Sequence, residues 1–553
     1  MRVSVYQICL ITTWVLISVV VGILTVQASA VDRTIVTNTF WLGLTSSLVA
    51  VPLAAAWAWV AISGGLMGRT MMLAMIGLLF MPVFVHVSTW DAALGRLGWL
   101  TSTQGQILIP LISGWQAASW IHGVAAAPQV AMLLLIGMLT GRSVFEDQAR
   151  LDTNSSGVWL SVTLPRMLPL MILGILWTMS MAAREIAATD LYQVGTLAER
   201  VYLGFSLGQL NTVLSGWAKE QLQQSNQLNL VLFAAVIGWF SLTAGLIFSQ
   251  LNHVELAADQ LQPRSFKFPH RHAGEPATRR LIGFFRLAIG GLLLAILLVV
   301  PVANLVIRCC YAVLPINGFP TTVVSGTQFL QTLQRALSNY PSEFMWSTLI
   351  AGTSSTIIVI GATILAWSSR RNSWLRMLMI VSLVMSCAIP GPIVGSLLIQ
   401  FFTSVDSRFT NWLYDRTIAA PVLANVWFCW LLSPMVIWFV FGKVAEDSLE
   451  HANLEGAGEL KRFFSLGLAG NWAAVLGCWL ITFSVSFGEL SASQLVIPPG
   501  IDTMPRLMLG LLHAGVDEMT AALTLIMGTM VLTVAAGGWL LISWSWPSTI
   551  KSP

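Results

Sequence analysis

The chain has 553 residues, of which 56% are hydrophobic and only 9% charged. A soluble domain carries about 25% charged residues, so water alone cannot solvate this surface and most of it must face lipid. The net charge of +4 is too small for a nucleic-acid footprint and fits the one-sided excess of basic residues in a membrane protein.

A membrane-crossing helix needs about 20 predominantly apolar residues. Taken in order, the chain offers spans near 6–28, 38–61, 70–88, 117–140, 167–189 and 227–250, then near 282–306, 344–367, 374–402, 419–442, 470–492 and 518–545. The first has the look of a signal peptide, with Arg2 ahead of it and Ala28-Ser29-Ala30 behind. It is nonetheless long enough to cross a bilayer, and Ile282 to Val306 is its counterpart, so it is expected to stay as a helix. Between the two sets lies a polar stretch, His253 to Arg280, broken by Pro263, Pro269 and Pro276. The expected organisation is a first six-helix unit over 1–250, a basic linker over 251–281 and a second unit over 282–553. With the N-terminus inside, 18 of the 28 basic residues fall on the inner side, among them Arg142, Arg150, Arg370, Arg371, Lys443, Lys461 and Arg462. That excess places both termini and the linker in the cytoplasm.

The two units share residues at a nearly constant offset. Gly43 with Thr45-Ser46 corresponds to Gly352 with Ser354-Ser355, a shift of 309. Pro128 corresponds to Pro434, a shift of 306. Glu185-Ile186-x-Ala188-Thr189-x-Leu191 corresponds to Glu489-Leu490-x-Ala492-Ser493-x-Leu495, a shift of 304. Steady offsets predict a duplicated unit, with parallel repeats about an axis along the membrane normal and a pathway between them.

A polar loop recurs as well. Its second copy reads Glu450-His451-Ala452, then Gly456, then Leu466-Gly467-Leu468-Ala469. The first reads Asp147-Gln148-Ala149, with Asp152 behind, then Val162-Thr163-Leu164-Pro165. Leu449 to Ala457 is expected to form a short helix with Glu450 near its start, where the helix dipole favours an acid. Gly456 permits the reversal that ends it, and Glu459 to Leu468 leads back towards the membrane. Two short helices joined by a glycine turn make a knob that fits a partner's groove. Two such loops on one face offer a partner two docking sites.

The pattern acid-x-Ala, three residues, Gly, nine residues, apolar-x-Leu-Pro resembles the EAA loop of bacterial ABC importer permeases. Glu450, Ala452, Gly456, Leu466 and Leu468 match it, with Ala469 where the family has Pro. The first copy keeps Leu164-Pro165, but has Asp147 as its acid, Thr153 in place of Gly, and spacing one residue short. Two fused six-helix units resemble the ferric-iron and thiamine branch of that family. Ser486 to Ala492, Pro498-Pro499-Gly500 and His513-Ala514-Gly515 are similar to the iron(III) permeases in particular. The resemblance implies an all-α permease of about 12 transmembrane helices in a bacterial inner membrane. It also implies a periplasmic solute-binding protein and a cytoplasmic ATPase dimer that grips both loops and carries the ATP, with no cofactor on this chain. The chain has no G-x-x-x-x-G-K-[ST] phosphate loop, so ATP energy would come from another subunit. Ferric iron is the favoured solute, with thiamine or another small solute next. A gradient-driven secondary transporter is the alternative class. It would need ionisable groups near mid-membrane, where the expected spans have almost none.

Glu185 and Glu489 end equivalent helices. Their oxygens would suit a hard cation in a pathway, while a plainer reading makes them locally paired interfacial acids. His270-Arg271-His272 lies in the basic linker with no acid or Cys at ligand spacing, so no metal site is expected. The six cysteines read as small packing residues. No arrangement suited to nucleophilic or acid–base catalysis emerges.

Overall fold

The computed structural model describes residues 30–63, 65–103, 106–107, 110–140, 149, 152–153, 155–206, 276–316, 319–405, 407–442 and 444–545. The expected spans near 6–28 and 227–250, and most of the linker, lie outside these residues. Ahead of the linker come α1 (Ala30–Ala61), α2 (Gly65–Leu78), α3 (Val83–Leu94), α4 (Gly114–Thr140), α5 (Leu164–Arg184), α6 (Ala187–Leu191) and α7 (Leu197–Ser206). After it come α8 (Pro276–Leu294), α9 (Val300–Cys310), α10 (Gly326–Asn339), α11 (Pro341–Ser369), α12 (Ser373–Ala388), α13 (Gly391–Ser404) and α14 (Arg408–Arg416). The chain continues through α15 (Ala419–Cys429), α16 (Leu432–Gly442), α17 (Glu446–Leu454), α18 (Glu459–Arg462), α19 (Trp472–Phe487), α20 (Met504–Ala514) and α21 (Glu518–Ser545). Among the described residues, seven helices are long and apolar enough to cross a membrane, or nine if each of two bent pairs counts as one span.

Proline explains why some expected spans are not single helices. The span expected over 70–88 is broken at Pro82, with α2 and α3 meeting at 107°. The span expected over 374–402 is broken at Pro390 in the same way. Pro82 (φ −62°, ψ 147°) and Pro390 (φ −58°, ψ 145°) both stand in extended backbone just before the next helix. Proline lacks an N–H and pushes the residue before it out of helical geometry; Ile389, at φ −90° and ψ 120°, obeys. With 16 and 14 residues, α12 and α13 are each roughly 21–24 Å long, too short for a ~30 Å hydrocarbon core. Helices α15 and α16 meet at 54°, where Pro434 has no N–H for the Trp430 carbonyl four residues back. Pro128, its counterpart by spacing, sits inside the continuous helix α4.

The membrane-crossing elements are all helical, as expected. Two antiparallel hairpins are present, β1 (Ser102–Thr103) with β2 (Gln106–Ile107), and β3 (Tyr311–Ile316) with β4 (Phe319–Val324). The second runs from the pair Tyr311 and Val324 to the pair Ile316 and Phe319.

The parts before and after the linker are intertwined. Helices α8 and α9 pack on α1, α2 and α3 from the other side of the linker. Asn304 donates to the Thr89 carbonyl at 3.1 Å, and the Arg286 guanidinium stacks 4.9 Å from the Trp59 ring. Leu293 and Leu297 join Trp57, Met71 and Leu134 in one core, so this burial is shared. A second shared core holds Leu42, Phe84, Ile121 and Tyr192 with Leu305, Phe487, Met508 and Leu523. Inside it the Ser88 and Thr524 hydroxyls share a hydrogen bond of 2.7 Å. At one end of the bundle lie Arg370, Arg371 and the α17–α18 pair, here called the basic end. At the other lie α6, α7 and α20.

Candidate docking knob and far-end turns

At the basic end, α17 and α18 form a helix–turn–helix. Glu446 and Asp447 occupy the first turn of α17, so Glu450 lies one turn further in than the sequence suggested. The helix ends in a Schellman arrangement: the Gly456 N–H bonds the Asn453 carbonyl at 2.9 Å, and the Ala457 N–H bonds the Ala452 carbonyl at 2.9 Å. Gly456 has φ +74°, a left-handed conformation that L-residues other than Gly, Asn and Asp rarely adopt. Leu449 is the buried face of α17 and packs in a core with Trp367 and Phe441. Glu450, His451, Glu455 and Gly456 are exposed, as are Leu454 (85%), Leu460 (74%) and Phe464 (56%). Three large apolar side chains are thus exposed on an otherwise polar knob.

Polar contacts seat the knob on the bundle. The Glu459 carboxylate accepts from Trp367 Nε1 at 3.2 Å, Arg371 Nη1 at 3.4 Å and Arg462 Nη2 at 2.6 Å. Arg462, buried, also donates to the Asn453 side chain on α17. Arg370 donates to the Val444 carbonyl at 3.1 Å.

Leu466 and Leu468 lie in a π-helical stretch, Phe463–Leu468, not in the α-helix expected there. Asn471 holds its loosened carbonyls, donating to Leu466 O at 3.2 Å and Gly467 O at 3.0 Å. A π-helical stretch, Trp159–Thr163, stands at the corresponding place ahead of α5. Such segments mark strained or functional places, and nothing in the apolar pattern announces them. Leu164-Pro165 opens α5, with Pro in its first turn where its missing N–H leaves no gap. Asp152 is exposed, and the Thr153 N–H bonds the Ala149 carbonyl at 3.0 Å. Asp147 and Gln148 lie outside the described residues.

At the far end, Glu185 and Glu489 each accept from two downstream backbone amides, in registers one residue apart. Glu185 accepts from the Ala187 and Ala188 amides at 2.7 and 3.1 Å. Glu489 accepts from the Ala492 and Ser493 amides at 2.6 and 3.1 Å. Each carboxylate thus caps the turn that follows its helix, and those oxygens are already engaged. Gly488 lies against the other part of the chain: a Cβ there would meet Pro82 Cγ at 2.2 Å. Two polar links join the parts nearby. His513 Nε2 lies 3.4 Å from Asp190 Oδ2, and Gln494 Nε2 donates to Tyr202 Oη at 2.8 Å. The bond to Asp190 holds the His513 imidazole above its usual value near 6.5.

Further buried polar groups lie around these turns. Asp91 on α3 accepts from Tyr192 Oη at 2.8 Å. The Arg184 guanidinium stacks 4.4 Å from the Phe428 ring, reaching across between the two parts. His122 Nε2 lies 4.0 Å from Glu185 Oε2. An open cavity of about 560 Å³, lined by Glu343, Trp346, Pro499, Asp502 and Arg506, borders the loop ahead of α20. Among the described residues no group of three or more His, Cys, Asp or Glu side chains could hold a metal ion.

Fold and sites together define a multi-pass helical membrane protein with a polar helix pair at one end. No family model matches the chain. It is similar to the putrescine transport system permease protein PotI of Escherichia coli strain K12, 32% identical over 143 residues, which are 26% of this chain and 50% of that protein. The same protein from Escherichia coli O6:H1 strain CFT073 matches with the same figures. The chain therefore spans about half the length of the curated relatives it matches.

Proposed function

We propose that this chain is the membrane permease subunit of an ATP-driven importer, placed in a bacterial inner membrane with the basic end in the cytoplasm. The observation that carries the reading is the α17–α18 knob: a rigid, glycine-terminated helix pair with exposed apolar side chains on an otherwise polar end. It suits a groove on a cytoplasmic ATPase. Ala149, Asp152, Leu164 and Pro165, with Asp147 and Gln148, would form the first docking loop. Glu450, His451, Ala452, Gly456, Leu466 and Leu468 would form the second. Matched caps at Glu185 and Glu489, matched proline breaks and matched π-helical stretches support two repeats of one unit, fused through the linker. A periplasmic solute-binding protein would deliver the solute at the far end. ATP binding would draw the loops together and open the pathway outward, and hydrolysis would reset it.

The relatives' name favours an organic polyamine over ferric iron as the solute. Glu185 and Glu489 also suit iron less well once their oxygens hold backbone amides. Uptake of radiolabelled putrescine, ferric citrate and thiamine by cells with and without the chain tests this. The proposal expects putrescine uptake to fall at least tenfold on deletion, and the other two to stay unchanged. Loss of ferric-iron uptake alone would return the assignment to iron.

A further inference from the structure

We propose that Glu459 is the positioning residue through which the second docking knob moves the membrane bundle; this rests on the importer reading. A knob that only binds a partner needs a surface. One that transmits a displacement must also be held stiffly to what it moves. The Glu459 carboxylate meets that need by gathering donors from α11 (Trp367, Arg371) and α18 (Arg462). Arg462 in turn holds Asn453 of α17. One carboxylate and one guanidinium therefore join three helices. Trp367 adds an apolar pivot: its ring lies 5.6 Å from Phe441 and 5.8 Å from Phe463, and a Cβ on Gly467 would meet it at 2.9 Å.

The clamp residues are not repeated at the corresponding sequence positions. At the shift of 304, Ser155 stands for Glu459 and Val158 for Arg462. At the shift of 309, Ala58 and Ile62 stand for Trp367 and Arg371. None of these can form an ion pair. This clamp is therefore a feature of the second loop that its sequence counterparts in the first do not carry. Glu459 and Arg371 are both more than half exposed, and ion pairs of this kind add little to global stability. Their loss should spoil transmission and leave the fold intact.

Hydrogen–deuterium exchange on the chain purified with its ATPase in lipid nanodiscs, with and without ATP and vanadate, tests this without knowledge of the solute. In the natural protein, the ATPase is expected to slow exchange over 446–464, and ATP with vanadate to raise exchange over 489–503 at least threefold. Glu459→Gln and Arg371→Gln each keep the slowed knob and lose most of that rise. The conservative variant Arg371→Lys, which keeps a donor for the Glu459 carboxylate, retains most of it, and Ser155→Ala leaves it whole. A full rise in both single variants overturns the proposal. So does loss of knob protection in Glu459→Gln, which would make Glu459 a docking contact. A natural knob untouched by the ATPase would contradict the importer reading itself.

Discussion

At the scale of single residues, backbone geometry decides more than charge. A Cβ on Gly456 would meet no atom within 4 Å, so Gly456→Ala acts through its left-handed φ alone, at about 1–2 kcal/mol. Gly456→Pro also removes the N–H that bonds Asn453 and cannot take that φ. It is expected to abolish ATPase binding while leaving the protein inserted, which co-purification checks. Glu489→Ala strips the acceptor from two buried amides, at about 1–3 kcal/mol for each donor left unpaired. A lowered melting temperature is expected, with less effect from Glu489→Gln. The His513–Asp190 contact predicts a pH effect. Because its folded value is raised, His513 adds stability that is fully present below about 6.5 and is lost as pH rises through the higher folded value. Melting curves at pH 5.5 and 8.5 should therefore draw together in His513→Gln.

Elements divide into those that apolar runs disclose and those set by punctuation within them. Spans near 38–61, 117–140, 344–367 and 518–545 were legible from length and hydropathy, because burial in lipid asks for little else. The breaks at Pro82 and Pro390 were not, since apolar residues continue on both sides and length alone reads through them. Gly456 was readable because only one residue type suits its turn. The Glu459 clamp was not, because its members lie some ninety residues apart on α11 and α18. The breaks also set how elements pack. Gly488→Ala should overpack the junction with Pro82, at about 1–3 kcal/mol, and Pro82→Ala in the same protein should recover part of the lost melting temperature.

For the whole molecule, the shared cores and the crossing of α8 and α9 onto α1, α2 and α3 mean that neither part completes its packing alone. Movement at the basic end can therefore reach the far-end turns through continuous helices such as α11 and α19. That is the property an ATP-driven permease requires. The most direct test is affinity purification of the crosslinked chain from gently solubilised native membranes, with mass spectrometry of what comes with it. The account predicts an ATPase crosslinked within 446–464, together with a solute-binding protein. Intact chain recovered repeatedly without any ATPase would contradict it and favour a transporter driven by an ion gradient.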